Sequence, residues 1–236
     1  MRRTKPTEIT EAGRAYLRLA RQVALLVSEA QTDAATTTVP LAISADALAS
    51  WVLPALVHLP RGVTVDIRRE DQDHSADLLR AGTVMAAIST DAEPVQGCTS
   101  TRLGVMRYHP MASRAFAREW FAGGATVAEL DVAPMVVFDR KDDLQDRYLR
   151  SRSSRLIAPP RHHVPGSVEF ARSIRFGLGW GLLPEQQSAE WGDGVVEFDE
   201  KRHVDVVLYW QQWALQATSL DAVACVIRTA AEVALT

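Results

Sequence analysis

Strand-type and helix-type segments alternate between residues 39 and 89, and this alternation restricts the fold more than any other feature of the sequence. The apolar residues of the strands recur at every second position or in short runs, whereas those of the helices recur with a longer period. The strands are VPLAI, VTVDI and VMAAIS, and the helices between them span residues 47–59 and 75–81. A β-α-β-α-β order favours parallel pairing with right-handed crossovers. The sequence therefore predicts an α/β fold.

The alternation resumes in the second half of the chain. Strand-type runs PMVVFD, GVVEF and VDVVLYW occur there together with helix-type runs RAFAREWF, DLQDRYLRS and VEFARSIRF. A last helix over residues 219–234 is long enough to return to the first set of strands. We therefore expect two α/β units and no internal repeat.

An amphipathic helix precedes the first strand. Thr10 is a plausible N-cap and Glu11 suits the first turn. One apolar stripe is formed by Leu19, Val23 and Leu26. A second stripe beside it widens this into one apolar face, with members Leu17, Ala20, Ala24 and Val27. The polar stretch SEAQTDAATTT separates the helix from the first strand, as a linker would.

Composition limits the classes of function. The 236-residue chain has a net charge of −3, so its bulk is not that of a nucleic-acid-binding protein. Two cysteines make no disulfide framework and are compatible with a reducing compartment. The N-terminus lacks the apolar core of a signal peptide, and no run approaches the roughly 18 apolar residues of a membrane span. We expect a soluble, cytoplasmic protein that does not bind a membrane.

The motifs that suggest an enzyme or a metal site are weak. GLGWG follows a helix, whereas a dinucleotide fingerprint follows a strand, so Gly177 is better explained as a C-cap and the other glycines as turn residues. His162 and His163 are adjacent and would point to opposite faces of a strand. Cys98 lies in a loop-type stretch with no nearby histidine, and no G-x-S-x-G elbow is present. We expect no catalytic residue, no metal and no cofactor.

Polar residues follow the strands, where ligands of open α/β sheets bind. These residues are Ser44, Asp46, Glu70, Asp71, Ser89 and Thr90 in the first unit, and Asp139, Asp142, Asp143, Ser167 and Glu169 in the second. Acidic residues also favour helix N-termini without any ligand, which is the alternative for each one separately. Their accumulation predicts a cationic ligand, such as an amino acid with a basic side chain.

The whole chain resembles the LysR-type transcriptional regulators. EITEAGRAYLRLARQVALL is similar to the end of the family's wing and the start of its linker helix, with Thr10, Glu11, Ala12 and Gly13 in the matching positions. The remainder resembles the effector domain, two Rossmann-like lobes of periplasmic-binding-protein type, including the Gly-rich run GLGWGLLP. ISADALASWVLPAL, VVFDRKDDLQDRYL and VLYWQQW are most similar to the ArgP/LysG branch, which senses lysine and arginine and controls basic amino-acid export.

The resemblance implies a division of the chain. Residues 1–9 would be a remnant of the wing, with Arg2, Arg3 and Lys5 as remaining DNA contacts. Residues 10–30 would form the dimerisation helix, and residues 31–38 would form a linker. Lobe 1 would consist of residues 39–102 plus 207–236, and lobe 2 would consist of residues 103–206. The family's winged helix-turn-helix would precede residue 1, so promoter DNA is expected to bind only through that domain. The implied assembly is a homodimer or homotetramer through Leu19, Val23 and Leu26, with RNA polymerase as a partner of the intact regulator.

The resemblance also implies a role for the strand-end residues. The family binds its effector in the cleft between lobes, here expected to be L-lysine or L-arginine. Hydroxyls and helix N–H groups would hold the carboxylate, and Asp139 would contact the ammonium or guanidinium group. Two other classes remain, a stand-alone amino-acid-binding protein of this fold and an α/β enzyme. The absence of an export signal argues against the first, and the lack of a nucleophile–base pair argues against the second.

Overall fold

The computed structural model describes residues 10–30, 36–69 and 75–236. These residues form two compact units, each made from several stretches of chain. Unit 1 contains the described residues up to Ser44 and those within Pro54–Leu103 and Leu208–Val233, and unit 2 contains Ala45–Leu53, Gly104–Val207 and Ala234–Thr236. The predictions for Arg2, Arg3, Lys5, Glu70 and Asp71, for the remainder of segment 1–9 and for linker residues 31–35 lie outside the described residues.

Helix α1 (Glu11–Ala30) begins at the predicted N-cap. The Thr10 hydroxyl accepts a hydrogen bond from the backbone N–H of Gly13 at 3.1 Å, which satisfies one of the free donors of the first turn. The helix contacts the rest of unit 1 through Leu25, which is 4% exposed. Arg18 adds a hydrogen bond to the carbonyl of Gln96 at 3.0 Å. The helix therefore packs on unit 1 along one narrow face.

The apolar face predicted for α1 is not the face that contacts unit 1. Leu19, Val23 and Leu26 are 56%, 50% and 40% exposed, and Val27 of the second stripe is also exposed. Leu25 belongs to neither predicted stripe, and its neighbours on the contact face are polar. The sequence period therefore indicated an apolar face on α1, and most of that face is exposed to solvent in the single chain.

The sheet of unit 1 is largely parallel, as the alternation predicted. Strand β1 is central in a group of three and pairs in parallel with β2 and with β3. Strand β3 pairs antiparallel with β9. The strands are β1 (Thr37–Ile43), β2 (Val63–Arg69), β3 (Ala86–Ser89) and β9 (Val204–Trp213), and the helices include α3 (Leu53–Ala55), α4 (Ser75–Arg80) and α10 (Thr218–Ala234). Strand β9 begins in unit 2 and ends in unit 1.

Unit 2 combines antiparallel and parallel strands. Strand β4 pairs antiparallel with β7 and β8, and β5 pairs in parallel with β6. The strands are β4 (Cys98–Ala112), β5 (Met135–Val137), β6 (Arg161–His163), β7 (Gly181–Pro184) and β8 (Val196–Glu197). Strand β4 begins in unit 1 and ends in unit 2. The helices are α2 (Ala45–Ala47), which continues as a π-helical turn (Leu48–Val52), α5 (Arg114–Trp120), α6 (Val127–Val132), α7 (Leu144–Arg152), α8 (Ser167–Arg175) and α9 (Glu185–Trp191).

The core of unit 2 anchors the helices that carry its polar residues. Phe170 and Ile174 of α8 are buried together with Val136 of β5 and Leu183 of β7. The first residues of α8 and the loop after β5 are therefore held by the same apolar cluster. Burial of such side chains contributes about 1.5–3 kcal/mol each.

The glycine-rich run connects α8 to β7, which excludes a dinucleotide fingerprint there. Gly177 has a φ of 81° just after the end of α8, so the predicted C-cap is confirmed. The expectation that the next glycines make a turn is wrong. A Cβ on Gly179 would lie 2.7 Å from the carbonyl oxygen of Pro134, and one on Gly181 would lie 2.8 Å from Ile174. These two glycines permit close packing instead.

The units differ from the expected lobes at Ala45–Leu53 and by one residue at each crossing, and Ala234–Thr236 belong to unit 2 although 207–236 were predicted for lobe 1. Segment Ala45–Leu53 was assigned to lobe 1 because it follows β1, but its contacts place it in unit 2. Two long-range hydrogen bonds of Asp46 explain the difference, since its partners Tyr108 and Ser167 both belong to unit 2. Likewise, Cys98 was expected in a loop and is the first residue of β4.

Candidate functional site

Asp46 accepts hydrogen bonds from two hydroxyl groups that are distant in sequence. The Ser167 hydroxyl donates to its Oδ1 at 2.7 Å, and the Tyr108 hydroxyl donates to its Oδ2 at 3.2 Å. Both donors are buried. The Ser50 hydroxyl donates to the Asp46 carbonyl at 2.6 Å and helps to hold the start of the helix. The Asp46 carboxylate is thus fixed by neutral donors from α8 and β4.

Ser167 is placed by a glycine and a glutamine. Gly166, directly before α8, has a φ of 110°, a conformation that side chains rarely adopt, so the chain enters the helix at an angle only glycine readily allows. From α9, the Gln187 Nε2 donates to the Ser167 carbonyl at 3.3 Å and lies 3.4 Å from its hydroxyl. Together these contacts direct the Ser167 hydroxyl towards Asp46.

Two further carboxylates lie in the loop after β5. Asp139 accepts from the backbone N–H groups of Lys141 and Asp142 at 2.7 and 3.0 Å. Asp142 accepts from the backbone N–H groups of Phe138 and Leu144 at 3.2 and 3.0 Å. Each side chain therefore has a local role in shaping the loop. These two residues and Asp46 are called the carboxylate cluster below.

The carboxylate cluster has an unusual electrostatic environment. Burial raises the pKa of Asp142 to about 6, although its two backbone hydrogen bonds act in the opposite direction. The negative charges of Asp46 and Asp139 raise that pKa further. Among ion pairs between described residues, none involves Asp139 or Asp142. Such a group favours the approach of a cation, because a cation would stabilise the ionised form.

The other predicted residues of unit 2 are not joined to the carboxylate cluster by a hydrogen bond. Asp143 is exposed and pairs with Arg150 at 3.1 Å on the same helix. Glu169 is exposed in the first turn of α8, where a carboxylate favours the helix dipole. For these two residues the simple preference for helix N-termini is sufficient.

The predicted residues of unit 1 are hydroxyls. Ser44 and Ser89 are buried, and Thr90 is half-buried. The Ser89 hydroxyl accepts a hydrogen bond from the backbone N–H of Asp91 at 3.1 Å, which closes the turn after β3. Ser44 and Thr90 directly follow β1 and β3, as the sequence predicted, and Ser89 is the last residue of β3.

Two residues of the cluster's surroundings were missed by the sequence reasoning. Tyr108 belongs to RYHPMAS, and its burial follows from the alternation of buried side chains along β4. That alternation would have indicated a buried tyrosine, whose hydroxyl needs a partner. Gln187 lies in EQQSAEW, a helix with no apolar period, and nothing in the sequence distinguishes it from Gln186.

The structure also places the residues that were considered for metal or thiol chemistry. Within the described residues, no three His, Cys, Asp or Glu side chains form a group with metal-ligand geometry. His162 and His163 are exposed on β6. Burial raises the pKa of Cys98 to about 11, so its thiol is a poor nucleophile.

No helix in the described part of the chain combines the length and apolar character needed to cross a bilayer.

Residues 33–232 match the family described as the LysR substrate binding domain. One relative is the lysine export transcriptional regulatory protein LysG of Corynebacterium efficiens. It is 40% identical over 228 residues, which cover 92% of this chain and 77% of the relative. The relative's name describes a regulator of transcription, which agrees with the resemblance rather than with an enzyme.

Solved structures of related regulators have the same fold. The crystal structure of ArgP from Mycobacterium tuberculosis superposes with a TM-score of 0.91 at 39% identity, covering 99% of this chain and 82% of that one. Full-length LysG from Corynebacterium glutamicum, with the effector Arg bound, gives a TM-score of 0.83 at 32% identity over the same shares. The predicted α/β fold of periplasmic-binding-protein type is confirmed.

Proposed function

Because this chain belongs to the LysR-type transcriptional regulators, and within them to the ArgP/LysG branch, we propose that it senses a basic amino acid, L-lysine or L-arginine. The carboxylate cluster of unit 2 would bind the cationic group. Occupancy would control transcription of genes for basic amino-acid export. The single observation that carries the proposal is the group of three carboxylates in which burial and the negative charges of Asp46 and Asp139 raise the pKa of Asp142.

The chemistry of the cluster supports a cationic ligand over an anionic or neutral one. An anion near Asp46 and Asp142 would be repelled, and a neutral group would leave the raised pKa of Asp142 unchanged. An ammonium or guanidinium group donates several N–H bonds and compensates the negative charge. The bound Arg of the related LysG structure supports the same class of ligand.

The structure of the cluster supports some of the proposed ligand contacts more strongly than others. Asp139 remains a proposed contact, but Asp46 and Asp142 have the stronger support, since Asp46 is held by two buried hydroxyls and Asp142 has the perturbed pKa. The proposed roles of the remaining residues stay predictions, namely those of Ser44, Ser89, Thr90, Asp143, Ser167 and Glu169. Ser167 has the best support among them because it donates to Asp46.

The exposed stripe of α1 is the proposed association surface. Leu19, Val23 and Leu26 expose about half of their side chains on a helix whose opposite face is packed. A second copy of the helix would bury this stripe, giving a homodimer or a higher assembly. Binding of the amino acid at the carboxylate cluster would change how the two helices pair, and this change would carry the signal to the partner chain. Val23→Asp should convert dimers to monomers in sedimentation experiments. An unchanged dimer would exclude the stripe as the interface.

A thermal-shift screen of the twenty amino acids tests the proposed ligand class. At a hundredfold excess over Kd, a ligand that binds only the folded state adds about 2.7 kcal/mol to stability. For a chain of this size we expect a rise in Tm of several degrees with lysine or arginine and none with aspartate or glutamate. Norleucine and citrulline, which resemble the two side chains without the charge, are the matched controls. Equal shifts with acidic amino acids would contradict the proposal.

A further inference from the structure

The buried side-chain oxygen of Gln187 accepts no hydrogen bond from the described residues. The side chain lies in α9 and is 4% exposed. Its Nε2 faces Ser167, because the carbonyl of that residue can only accept a hydrogen bond. The Oε1 is therefore the amide atom that does not face Ser167, and it is buried with no hydrogen-bond partner among the described residues. Buried amide oxygens of folded proteins are usually paired, so this one calls for an explanation.

The position of Gln187 relates it to the carboxylate cluster. Its amide nitrogen lies 3.4 Å from the Ser167 hydroxyl, and that hydroxyl donates to Asp46 at 2.7 Å. The unpaired oxygen thus belongs to a side chain that is one contact removed from Asp46. It also carries no charge, so it adds an acceptor without adding to the repulsion between the carboxylates.

Building on the proposed function, we propose that Gln187 determines specificity between the two dibasic amino acids, with its Oε1 accepting an N–H of a bound guanidinium group. A guanidinium group has five N–H donors in a fixed plane, whereas an ammonium group has three. The Asp46 oxygens already accept from Tyr108 and Ser167, so a guanidinium group has more need of an extra acceptor than an ammonium group has. Gln187 therefore favours arginine over lysine.

The test compares the affinities of the 236-residue chain for arginine and for lysine by isothermal titration calorimetry. Gln187→Met removes both polar atoms at nearly constant volume. We expect the ratio of arginine affinity to lysine affinity to fall about 3- to 10-fold, the usual effect of losing one hydrogen bond. Should this variant unfold, Gln187→Leu removes the same atoms in less volume and carries the same test.

Two further variants separate recognition from structure. Gln186→Met changes the neighbouring residue, whose Nε2 donates to the carbonyl of Ala234, and should leave the ratio unchanged. Gln187→Glu keeps an oxygen acceptor but loses the amide donor to Ser167. It should keep the ratio within about twofold of the wild type, because added negative charge strengthens the binding of both cations.

Each outcome decides the matter. A parallel loss of both affinities in Gln187→Met would assign the residue a purely structural role and overturn the inference. An unchanged ratio in a wild-type chain that binds both amino acids would overturn the inference and leave the proposed function standing. A wild-type chain that binds neither would overturn both. A fall in the ratio limited to Gln187→Met and Gln187→Leu would support the assignment.

Discussion

Unit 2 contains two groups of carboxylates that have the same chemistry and opposite surroundings. In the first group each carboxylate faces an arginine, in the pairs Arg107–Asp205, Arg152–Asp199 and Arg161–Asp146. In the second, the carboxylate cluster, the side chains accept hydrogen bonds from hydroxyls and backbone N–H groups. The carboxylates of the first group are neutralised within the protein, whereas the hydroxyl and backbone donors named for the second group carry no formal charge.

The pKa values of one carboxylate from each group, Asp205 and Asp142, move in opposite directions. The Arg107 side chain lowers the pKa of Asp205, while burial and like charges raise that of Asp142. An arginine partner therefore marks a carboxylate that stabilises the fold. A carboxylate that accepts hydrogen bonds from neutral donors retains its attraction for a mobile cation. This difference is the physical basis for locating the ligand at the cluster.

The comparison predicts its largest effect for Asp46. Asp46→Asn keeps the shape of the side chain but removes its charge, and we expect lysine and arginine affinity to fall 30-fold or more, corresponding to about 2–5 kcal/mol for a buried charge contact. Calorimetric titration measures this loss. Asp143→Asn is the matched control, because Asp143 is exposed and paired with Arg150, and its affinity should remain within about twofold of the wild type. Equal losses of affinity in Asp46→Asn and Asp143→Asn would show that the cluster carboxylate and the arginine-paired carboxylate do not differ in ligand binding.

The arginine-paired group should show the reverse pattern. Arg152→Met leaves the largely buried Asp199 carboxylate with the Tyr148 hydroxyl at 2.8 Å and also removes a hydrogen bond to the Ala125 carbonyl. We expect the free energy of unfolding to fall by about 2–3 kcal/mol in urea titrations. Ligand affinity of the folded fraction should not change. A large loss of affinity at unchanged stability would place this pair in the binding site.

The raised pKa of Asp142 predicts a smaller, pH-dependent effect. The folded chain binds a proton here at about pH 6 and the unfolded chain near pH 3.8, so between these values the folded state carries more protons. Stability from this group therefore decreases mainly as pH rises from 4 to 6 and is level above about pH 7. We expect the stability difference between wild type and Asp142→Asn to change by about 1–2 kcal/mol over this window. A stability difference that does not change with pH would contradict the raised pKa of Asp142.

Much of the fold could be predicted from the sequence because its information is local. The apolar periods of β1, β2 and β3 predicted parallel strands, and Thr10 predicted the start of α1. The position of Ala45–Leu53 could not be predicted in this way. Its membership of unit 2 depends on side chains of β4 and α8 that are far away in sequence.

The candidate site was predictable only in part, for the same reason. Strand ends identified Asp46, Asp142 and Ser167 separately, since polar residues after strands are a local pattern. The hydrogen bond that joins Asp46 to Ser167 spans 121 positions, and no local pattern encodes it. Gln187 has no sequence feature that separates it from Gln186. Its importance follows from burial and from the partner of its amide nitrogen.

Comparing arginine with citrulline tests the central claim most directly. The two amino acids have nearly the same shape, and citrulline lacks the positive charge that the carboxylate cluster would recognise. We predict that the wild-type chain binds arginine at least 30-fold more tightly than citrulline in calorimetric titrations near pH 7. Equal affinities would contradict the claim that the carboxylates of unit 2 select a cation.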